Sequence, residues 1–222
     1  MQDFNVKINK GETVAFVGST GSGKTTIIDV LMGLLTSKKG EIRVDDQVLS
    51  EENIAAWHLQ TAYVPQDVFL FDDTIAHNIM FGVEEQYFDK QRLVNASRMA
   101  DIYDFIQSLP KGFQTVIGER GMRLSGGQRQ RIGLARAIYH DPDVLIMDEA
   151  TSALDNITEK GIIASLKTLP DDLTVIIVAH RLSTVRYADT IYLLENGKIV
   201  ADGSYEELIR SNSTFREMVE LS

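Results

Sequence analysis

Residues 13–25 read Thr13-Val14-Ala15-Phe16-Val17-Gly18-Ser19-Thr20-Gly21-Ser22-Gly23-Lys24-Thr25. An apolar run of strand length leads directly into a glycine-rich loop, and apolar residues at helical spacing follow it. Glycines let backbone amides converge on an anion without side-chain clashes, and the N-terminus of the next helix adds a favourable dipole. The stretch therefore predicts a phosphate-binding loop between a buried strand and a helix, the context that such a loop requires.

Within this loop the residue types predict nucleotide chemistry. Lys24 is placed to reach the β and γ phosphates, and the Thr25 hydroxyl is placed to ligate Mg²⁺. The alternative is a glycine-rich turn with an incidental lysine, which the spacing and the strand-to-helix context disfavour. The predicted nucleotide-binding residues are Gly18, Ser19, Thr20, Gly21, Ser22, Gly23, Lys24, Thr25 and Thr26.

A second apolar run, Val144-Leu145-Ile146-Met147, ends in Asp148-Glu149. Carboxylates at the C-terminal end of a buried parallel strand face the ligand crevice of an open α/β sheet. We therefore expect Asp148 to coordinate Mg²⁺ through water, and Glu149 to polarise the attacking water. Read alone, the pair is equally compatible with two solvated residues at a strand end; the loop at residues 18–25 favours the functional reading.

The distribution of patterns along the chain predicts an α/β fold with a mostly parallel sheet. Strands and helices alternate over residues 1–71 and 137–222, with hairpins at Asp45-Asp46 and at Asn196-Gly197. Helical periodicity dominates residues 72–136, which we interpret as an inserted helical subdomain. Phe4, Val6 and Ile8 alternate with polar residues and predict a half-buried strand, and one amphipathic helix is expected over residues 205–219.

Far downstream of the first loop stands Leu124-Ser125-Gly126-Gly127-Gln128, followed by a helical pattern. Two glycines expose amides, and the serine offers a hydroxyl at the start of a helix, so the segment predicts a second anion-binding helix terminus. The alternative is a plain glycine-rich loop before a helix. The sequence pattern does not decide whether the two loops meet within one molecule.

The loop at residues 18–25 together with the Leu124–Gln128 segment resembles the ATP-binding cassette (ABC) ATPases. The resemblance covers nearly the whole chain and implies a single ABC ATPase domain over residues 1–222. Its expected core is a P-loop NTPase of the RecA-like type, formed by residues 1–71 and 137–222 with a reduced antiparallel β subdomain. Residues 72–136 correspond to the helical subdomain.

The same resemblance implies roles for further residues. Gln66 resembles the Q-loop glutamine, which contacts Mg²⁺ or water, and His180 resembles the switch histidine that contacts the γ-phosphate. Read alone, Gln66 is a polar loop residue and His180 a structural histidine. Ser152–Asp155 resembles the D-loop. Ser125, Gly126, Gly127 and Gln128 would grip an ATP held by a second nucleotide-binding domain in a head-to-tail homo- or heterodimer. The implied activity is Mg²⁺-dependent ATP hydrolysis.

Thr115-Val116-Ile117-Gly118-Glu119-Arg120-Gly121 looks like the X-loop of the exporter branch, and Glu119 would then lie near the coupling helices of a transmembrane domain. An ATP-gated clamp of the DNA-repair or chromosome type is the alternative, but those relatives carry a long coiled coil and no sustained heptads occur here. A further alternative is a ribosome-associated ABC factor, but such factors normally hold two cassettes. The Gly118–Gly121 segment disfavours an importer.

The net charge and the length of the apolar stretches narrow the classes of partner that the chain is expected to bind. The net charge of −10 argues against nucleic acid, which basic faces bind. No stretch approaches the roughly 20 apolar residues of a membrane span, so membrane contact is expected only through a transmembrane domain. The resemblance implies a cytoplasmic location at an inner or plasma membrane, with this piece soluble. It also implies upstream residues with an aromatic that stacks on adenine, so we expect weaker ATP binding here than in an extended chain.

Overall fold

The computed structural model describes residues 4–36, 39–148, 156–166, 168–179 and 182–220. The strands are β1 (Thr13–Gly18), β2 (Arg43–Val44), β3 (Gln47–Val48), β4 (Thr61–Val64), β5 (Val144–Asp148), β6 (Thr174–Ala179), β7 (Thr190–Glu195) and β8 (Lys198–Gly203). The helices are α1 (Lys24–Leu31), α2 (Ile54–Gln60), α3 (Ile75–Ile79), α4 (Lys90–Met99), α5 (Tyr103–Ser108), α6 (Gly126–Tyr139), α7 (Asn156–Leu166), α8 (Leu182–Val185), α9 (Tyr205–Ser211) and α10 (Ser213–Glu220). Short 3-10 helices lie at Glu85–Tyr87, Gly112–Gln114 and Glu119–Gly121.

Among the described residues, six strands form one sheet in the order β4-β5-β6-β1-β7-β8. β5, β6, β1 and β7 are parallel, and β8 is antiparallel to β7. The strands β2 and β3 form a separate antiparallel pair. The predicted α/β class, with a mostly parallel sheet and a reduced antiparallel β element, is confirmed.

The register places two predicted site segments at one edge of the sheet. Asp148 is opposite Val178, and Val178 is opposite Phe16, two residues before Gly18. Neighbouring strands lie about 4.8 Å apart, so Asp148 and Phe16 are separated by about 10 Å. Because these strands are parallel, their carboxyl ends open into the same crevice.

The chain divides into two compact units. The core unit comprises Met1–Tyr63, Pro142–Glu149 and Asp171–Ser222, and the helical unit comprises Val64–Asp141 and Ala150–Pro170. In the core unit, α1 packs on the sheet through a buried cluster formed by Val14, Phe16, Ile27, Ile28, Ile146, Ile176, Val178 and Leu194. Burying such a side chain contributes roughly 1.5–3 kcal/mol, so the strand that carries the first loop is firmly fixed.

The helical unit is built by α3 and α4 packing against α6. Its buried apolar residues include Ile75, Ile79, Leu93, Ala96, Ala100 and Ile132. The segment predicted to be a helical subdomain, residues 72–136, falls inside this unit. Its role as a separate subdomain of a single ABC domain stays a prediction.

Two local expectations are wrong, for physical reasons. Phe4, Val6 and Ile8 are half-buried with exposed residues between them, but residues 4–9 form no strand, because alternation gives a buried face and a strand also needs a neighbour to pair with. The helix expected over residues 205–219 is two helices. Asn212 is extended between them, and its side-chain Oδ1 accepts from the Phe215 amide at 2.8 Å.

Both predicted hairpins are confirmed. β2 and β3 flank Asp45, whose φ is 52°. β7 and β8 are joined by Asn196 and Gly197, with φ of 48° and 74°, the left-handed pair that a tight hairpin turn requires.

Candidate nucleotide-binding site

The glycine-rich loop leaves the centre of the sheet at the end of β1 and enters α1 at Lys24. Lys24 is 5% exposed, and its Nζ donates to the backbone oxygens of Gly18 at 2.8 Å and Ser19 at 3.0 Å. The ammonium is thereby held across the loop by the chain itself. Gly23 precedes the helix with no side-chain cap, so this helix N-terminus has backbone donors for an external acceptor.

Two glycines of the loop are required for different reasons. A Cβ on Gly18 would run into the backbone oxygen of Leu194 and would lie 2.7 Å from Ser22 Oγ. Gly21 has a φ of +81° and open space on its Cβ side, so there the backbone conformation is the constraint. The loop is thus held tightly at its start and left open at its tip.

The residues present fit the phosphates of a nucleotide. The Ser22 side chain is 2% exposed, and its Oγ has no hydrogen-bond partner among the residues described. A buried hydroxyl without a partner costs free energy unless a ligand or water satisfies it. The loop is also supported from below, because the Gly197 amide of the β7–β8 turn donates to the Ser22 backbone oxygen at 2.9 Å.

Asp148 ends β5 at the same edge of the sheet. The Tyr63 hydroxyl, on the adjacent strand β4, donates to Asp148 Oδ2 at 3.2 Å. Burial raises the pKa of Tyr63 to about 12, and the negative charge and hydrogen bond of Asp148 add to the rise, so the phenol keeps its proton and remains a donor. The sequence analysis missed Tyr63. No local sequence signal could have found it, because its strand lies beside β5 only through the strand order of the whole sheet.

The oxygen donors at this edge suit Mg²⁺, which is usually held by one or two carboxylates together with substrate phosphates. Asp148 and the exposed Thr25 hydroxyl belong to the same core unit. In the described part of the chain, no group of three or more His, Cys, Asp and Glu side chains could hold a metal, so no all-protein metal cage is found there. Glu149, His180 and Ser152–Asp155 lie outside the described residues.

In the helical unit, the Ser125–Gln128 segment forms the start of α6. Ser125 Oγ accepts from the Gln128 amide at 3.2 Å, and Gln128 Oε1 accepts from the Ser125 amide at 2.8 Å, which is a complete capping box. Ser125 is exposed, and Gly127 is buried against the unit. The segment is therefore a preformed, solvent-facing helix terminus.

Gln66 is exposed in the helical unit, and α6 holds its backbone. The Gln130 side-chain amide donates to the backbone oxygen of Gln66. Gln130 itself is 7% exposed. The segment that carries Gln66 and the helix that carries Ser125 are therefore joined within one unit.

A model of the ABC transporter family matches residues 1–152, more than half of the chain, and this range contains the phosphate-binding loop, Asp148 and the Ser125–Gln128 segment. The chain belongs to the ABC transporter family. It is an ATPase domain of that family, with the P-loop NTPase fold, and it binds ATP.

Known relatives and structures agree with this membership. ATP-dependent lipid A-core flippases of Alkalilimnicola ehrlichii and Escherichia coli K12 are 45% and 44% identical over 218 residues, which is 98% of this chain and 37% of each relative. A solved bacterial Atm1-family ABC exporter with ATP bound is 38% identical, with a TM-score of 0.87 over 95% of this chain and 37% of that chain. The chain spans about 37% of the length of these relatives, and its resemblance to the ABC exporter branch is confirmed.

The helical unit of this ABC domain also carries an exposed aromatic cluster. Phe69, Phe71 and Phe81 are 54%, 40% and 49% exposed, and their rings contact each other at centroid distances of 5.1 Å and 4.6 Å. Phe71 and Phe81 border an open depression of about 450 Å³. Arg136 fixes this cluster, because its guanidinium donates to the Phe69 oxygen at 3.0 Å and lies over the Phe81 ring.

Glu119 lies on a segment that is tied to the wall of this depression. The Ile75 amide donates to the Thr115 oxygen at 3.0 Å, and the Ile117 amide donates to the Asp73 oxygen at 3.2 Å. Glu119 is exposed on the following 3-10 helix. Among the residues described, no helix has the length and apolarity needed to cross a bilayer.

Proposed function

We propose that the chain binds and hydrolyses ATP with Mg²⁺ and thereby powers an ABC exporter, through head-to-tail pairing with a second nucleotide-binding domain. The observation that carries the proposal is the buried Lys24 ammonium, held beside an uncapped helix terminus at the sheet edge where Asp148 also lies. Lys24 and the loop amides hold the phosphates. Bound Mg²⁺ would supply charge neutralisation on the β and γ phosphates, with Thr25, Asp148 and Gln66 as the residues that hold it.

Hydrolysis requires a water activated next to the γ-phosphate. We assign Glu149 as the general base, because it follows Asp148, the proposed metal-binding carboxylate, by one residue in the sequence. His180 follows β6, the strand between β5 and β1, and is assigned to the γ-phosphate. The Ser125–Gln128 segment serves the ATP of the partner domain. Its serine oxygen already accepts within α6, but its hydroxyl hydrogen remains to be donated to a phosphate.

Replacement of the base tests the catalytic assignment. Glu149→Gln is expected to bind ATP with unchanged affinity, to release no phosphate, and to accumulate as an ATP-bound dimer visible by light scattering. The matched control is Glu51→Gln, an exposed glutamate far along the sequence, which should behave as wild type. Normal phosphate release by Glu149→Gln would refute the assignment.

Complementation tests the head-to-tail pairing. Lys24→Ala and Ser125→Glu should each be inactive alone, because every composite site then lacks one half. In a mixture, half of the random dimers combine both variants, and one of their two sites is intact, so about a quarter of the wild-type rate should return. No recovery on mixing would show that each site is completed within one chain.

The exposed aromatic cluster is the proposed contact for the transmembrane domain, with Glu119 near its coupling helices. Clustered exposed aromatic rings mark interaction surfaces, and the segment of Glu119 is bonded to the same wall. The full-length protein would then work at the cytoplasmic face of a membrane. In the full-length exporter, Phe71→Ser should lower the ATPase rate without changing the ATP affinity of the 222-residue chain; a normal rate would place the contact elsewhere.

A further inference from the structure

Tyr63 is a residue outside the predicted site whose side chain contacts one of the predicted site residues, Asp148. On β4, Ala62 and Val64 are 9% and 1% exposed, whereas Tyr63 between them is 37% exposed. Side chains alternate between the two faces of a strand, so Tyr63 stands on the face opposite to its buried neighbours. Its side chain is therefore more exposed than that of either neighbour, and its hydroxyl donates to Asp148 Oδ2 at 3.2 Å.

This contact has the form of a support for a metal ligand. β4 and β5 are neighbours in the sheet, so the phenol reaches the carboxylate from a fixed strand rather than from a loop. Carboxylates that bind metals are oriented by hydrogen bonds from surrounding donors. A carboxylate offers about four acceptor positions, so a donation to Oδ2 restrains the rotation of the group while it occupies one of those positions.

We propose that Tyr63 is a positioning residue for the Mg²⁺ site: its hydroxyl holds the Asp148 carboxylate in the orientation in which that group receives the metal accompanying ATP. The inference rests on the proposed function, since it takes Asp148 as the Mg²⁺ carboxylate. Tyr63 does not touch the nucleotide in this role and acts only through Asp148.

The variant that tests this role is Tyr63→Phe, which keeps the ring and removes the hydroxyl. The dissociation constant of ATP is measured on the 222-residue chain twice, once with excess Mg²⁺ and once with EDTA, and the ratio of the two values reports how strongly the metal supports binding. Loss of a supporting donor typically costs about 10- to 100-fold in metal affinity. The 3.2 Å bond is longer than most hydroxyl–carboxylate bonds, so we expect the ratio to fall by about tenfold.

Two controls bracket the result. Tyr192→Phe makes the same chemical change on β7, at the level of Phe16 in the same sheet, and should leave both dissociation constants unchanged. Asp148→Asn should abolish the effect of Mg²⁺ altogether. Thermal unfolding without nucleotide shows that each variant is folded.

The outcomes separate this inference from the function on which it rests. A reduced ratio with an unchanged constant in EDTA supports the positioning role. Equal weakening with Mg²⁺ and with EDTA would show a merely structural role and overturn it. So would an unchanged or larger ratio in Tyr63→Phe while Asp148→Asn removes the Mg²⁺ effect. A wild-type chain that binds ATP equally well with and without Mg²⁺ would overturn the metal assignment of Asp148 as well.

Discussion

Two helices of this chain begin at glycine-rich segments, and their beginnings are built differently. α1 starts after Gly23 without a side-chain cap, and the first helical residue is the buried Lys24. α6 starts after the exposed Ser125, which closes its own helix end in a capping box with Gln128. One terminus is left for an external anion, whereas the other is complete without one.

The difference teaches how similar sequence chemistry can serve two tasks. In the first segment the cation is fixed by the backbone oxygens of its own loop, so the site is preorganised around a phosphate. In the second segment the helix end is stable by itself and faces solvent. It can therefore persist without a ligand and meet one that another domain presents.

The largest effect is expected at the first terminus. Lys24→Ala removes a charged donor to phosphate, and hydrogen bonds to charged groups contribute about 1.5–3 kcal/mol. ATP affinity should therefore fall by roughly 100-fold, as measured by equilibrium titration. Lys198→Ala, a loss of an exposed lysine on β8, is the control and should bind normally. An equal loss of ATP affinity in Lys24→Ala and Lys198→Ala would mean that the net charge of the chain, and not the position of Lys24, determines the affinity.

The middle of α6 gives the next largest effect. A Cβ on Gly133 would lie 2.6 Å and 2.8 Å from the two methyl carbons of Val68, so Gly133→Ala should lower the free energy of unfolding by about 1–3 kcal/mol through overpacking. Urea denaturation measures the loss. The double variant Gly133→Ala/Val68→Ala removes the obstruction and should recover part of it. A stabilised single variant would mean that helix propensity outweighs the close contact.

A substitution at the start of α6 should lower the stability and the rate of ATP hydrolysis but should leave the nucleotide affinity unchanged. Ser125→Ala removes the cap of α6 and should cost about 1 kcal/mol of unfolding free energy, with an unchanged ATP dissociation constant and a reduced rate of phosphate release. Ser204→Ala removes a second complete capping box found among the described helices, at the start of α9, and should lose similar stability while keeping the rate. Weakened ATP binding in Ser125→Ala would contradict the assignment of this terminus to a partner's nucleotide.

A third helix start, that of α3, is supported by a charge and should give the smallest effect. The Thr74 amide and then His77 lower the pKa of Asp73 below its ordinary value of 3.8. A depressed pKa stabilises the fold above the unfolded-state pKa, and the contribution disappears as the pH falls through the folded-state pKa. Asp73→Asn should therefore lower the melting temperature more at pH 7 than at pH 2.5, and the loss at pH 7 should correspond to less than about 1 kcal/mol. Asp72→Asn is the control, and an Asp73→Asn loss that is equal at both pH values would refute the electrostatic origin.

The sequence predicted what is local in the chain. The apolar runs that became β1, β5 and β6 and the glycine spacing before Lys24 are contained in short windows, so both the loop and Asp148 could be assigned. The role of Tyr63 could not be assigned from the sequence, because its contact with Asp148 depends on β4 lying beside β5. Strand order is a property of the whole sheet. The segment from Phe4 to Ile8 shows the same limit of prediction from local sequence. Their alternation predicted the buried face, but pairing depends on a neighbour that a local pattern does not specify.

The position of β1 in the sheet also determines when the nucleotide site can form during synthesis. β1 lies between β6 and β7, and the Ser22 backbone oxygen receives its hydrogen bond from Gly197. The loop emerges from the ribosome long before β6 and β7, the two strands on either side of β1. Contacts of such large sequence separation form slowly. A nascent chain that ends before β7 therefore lacks one neighbour of β1 and the turn that bonds to the loop, so ATP can serve as a folding ligand only after β7 and its turn have been synthesised.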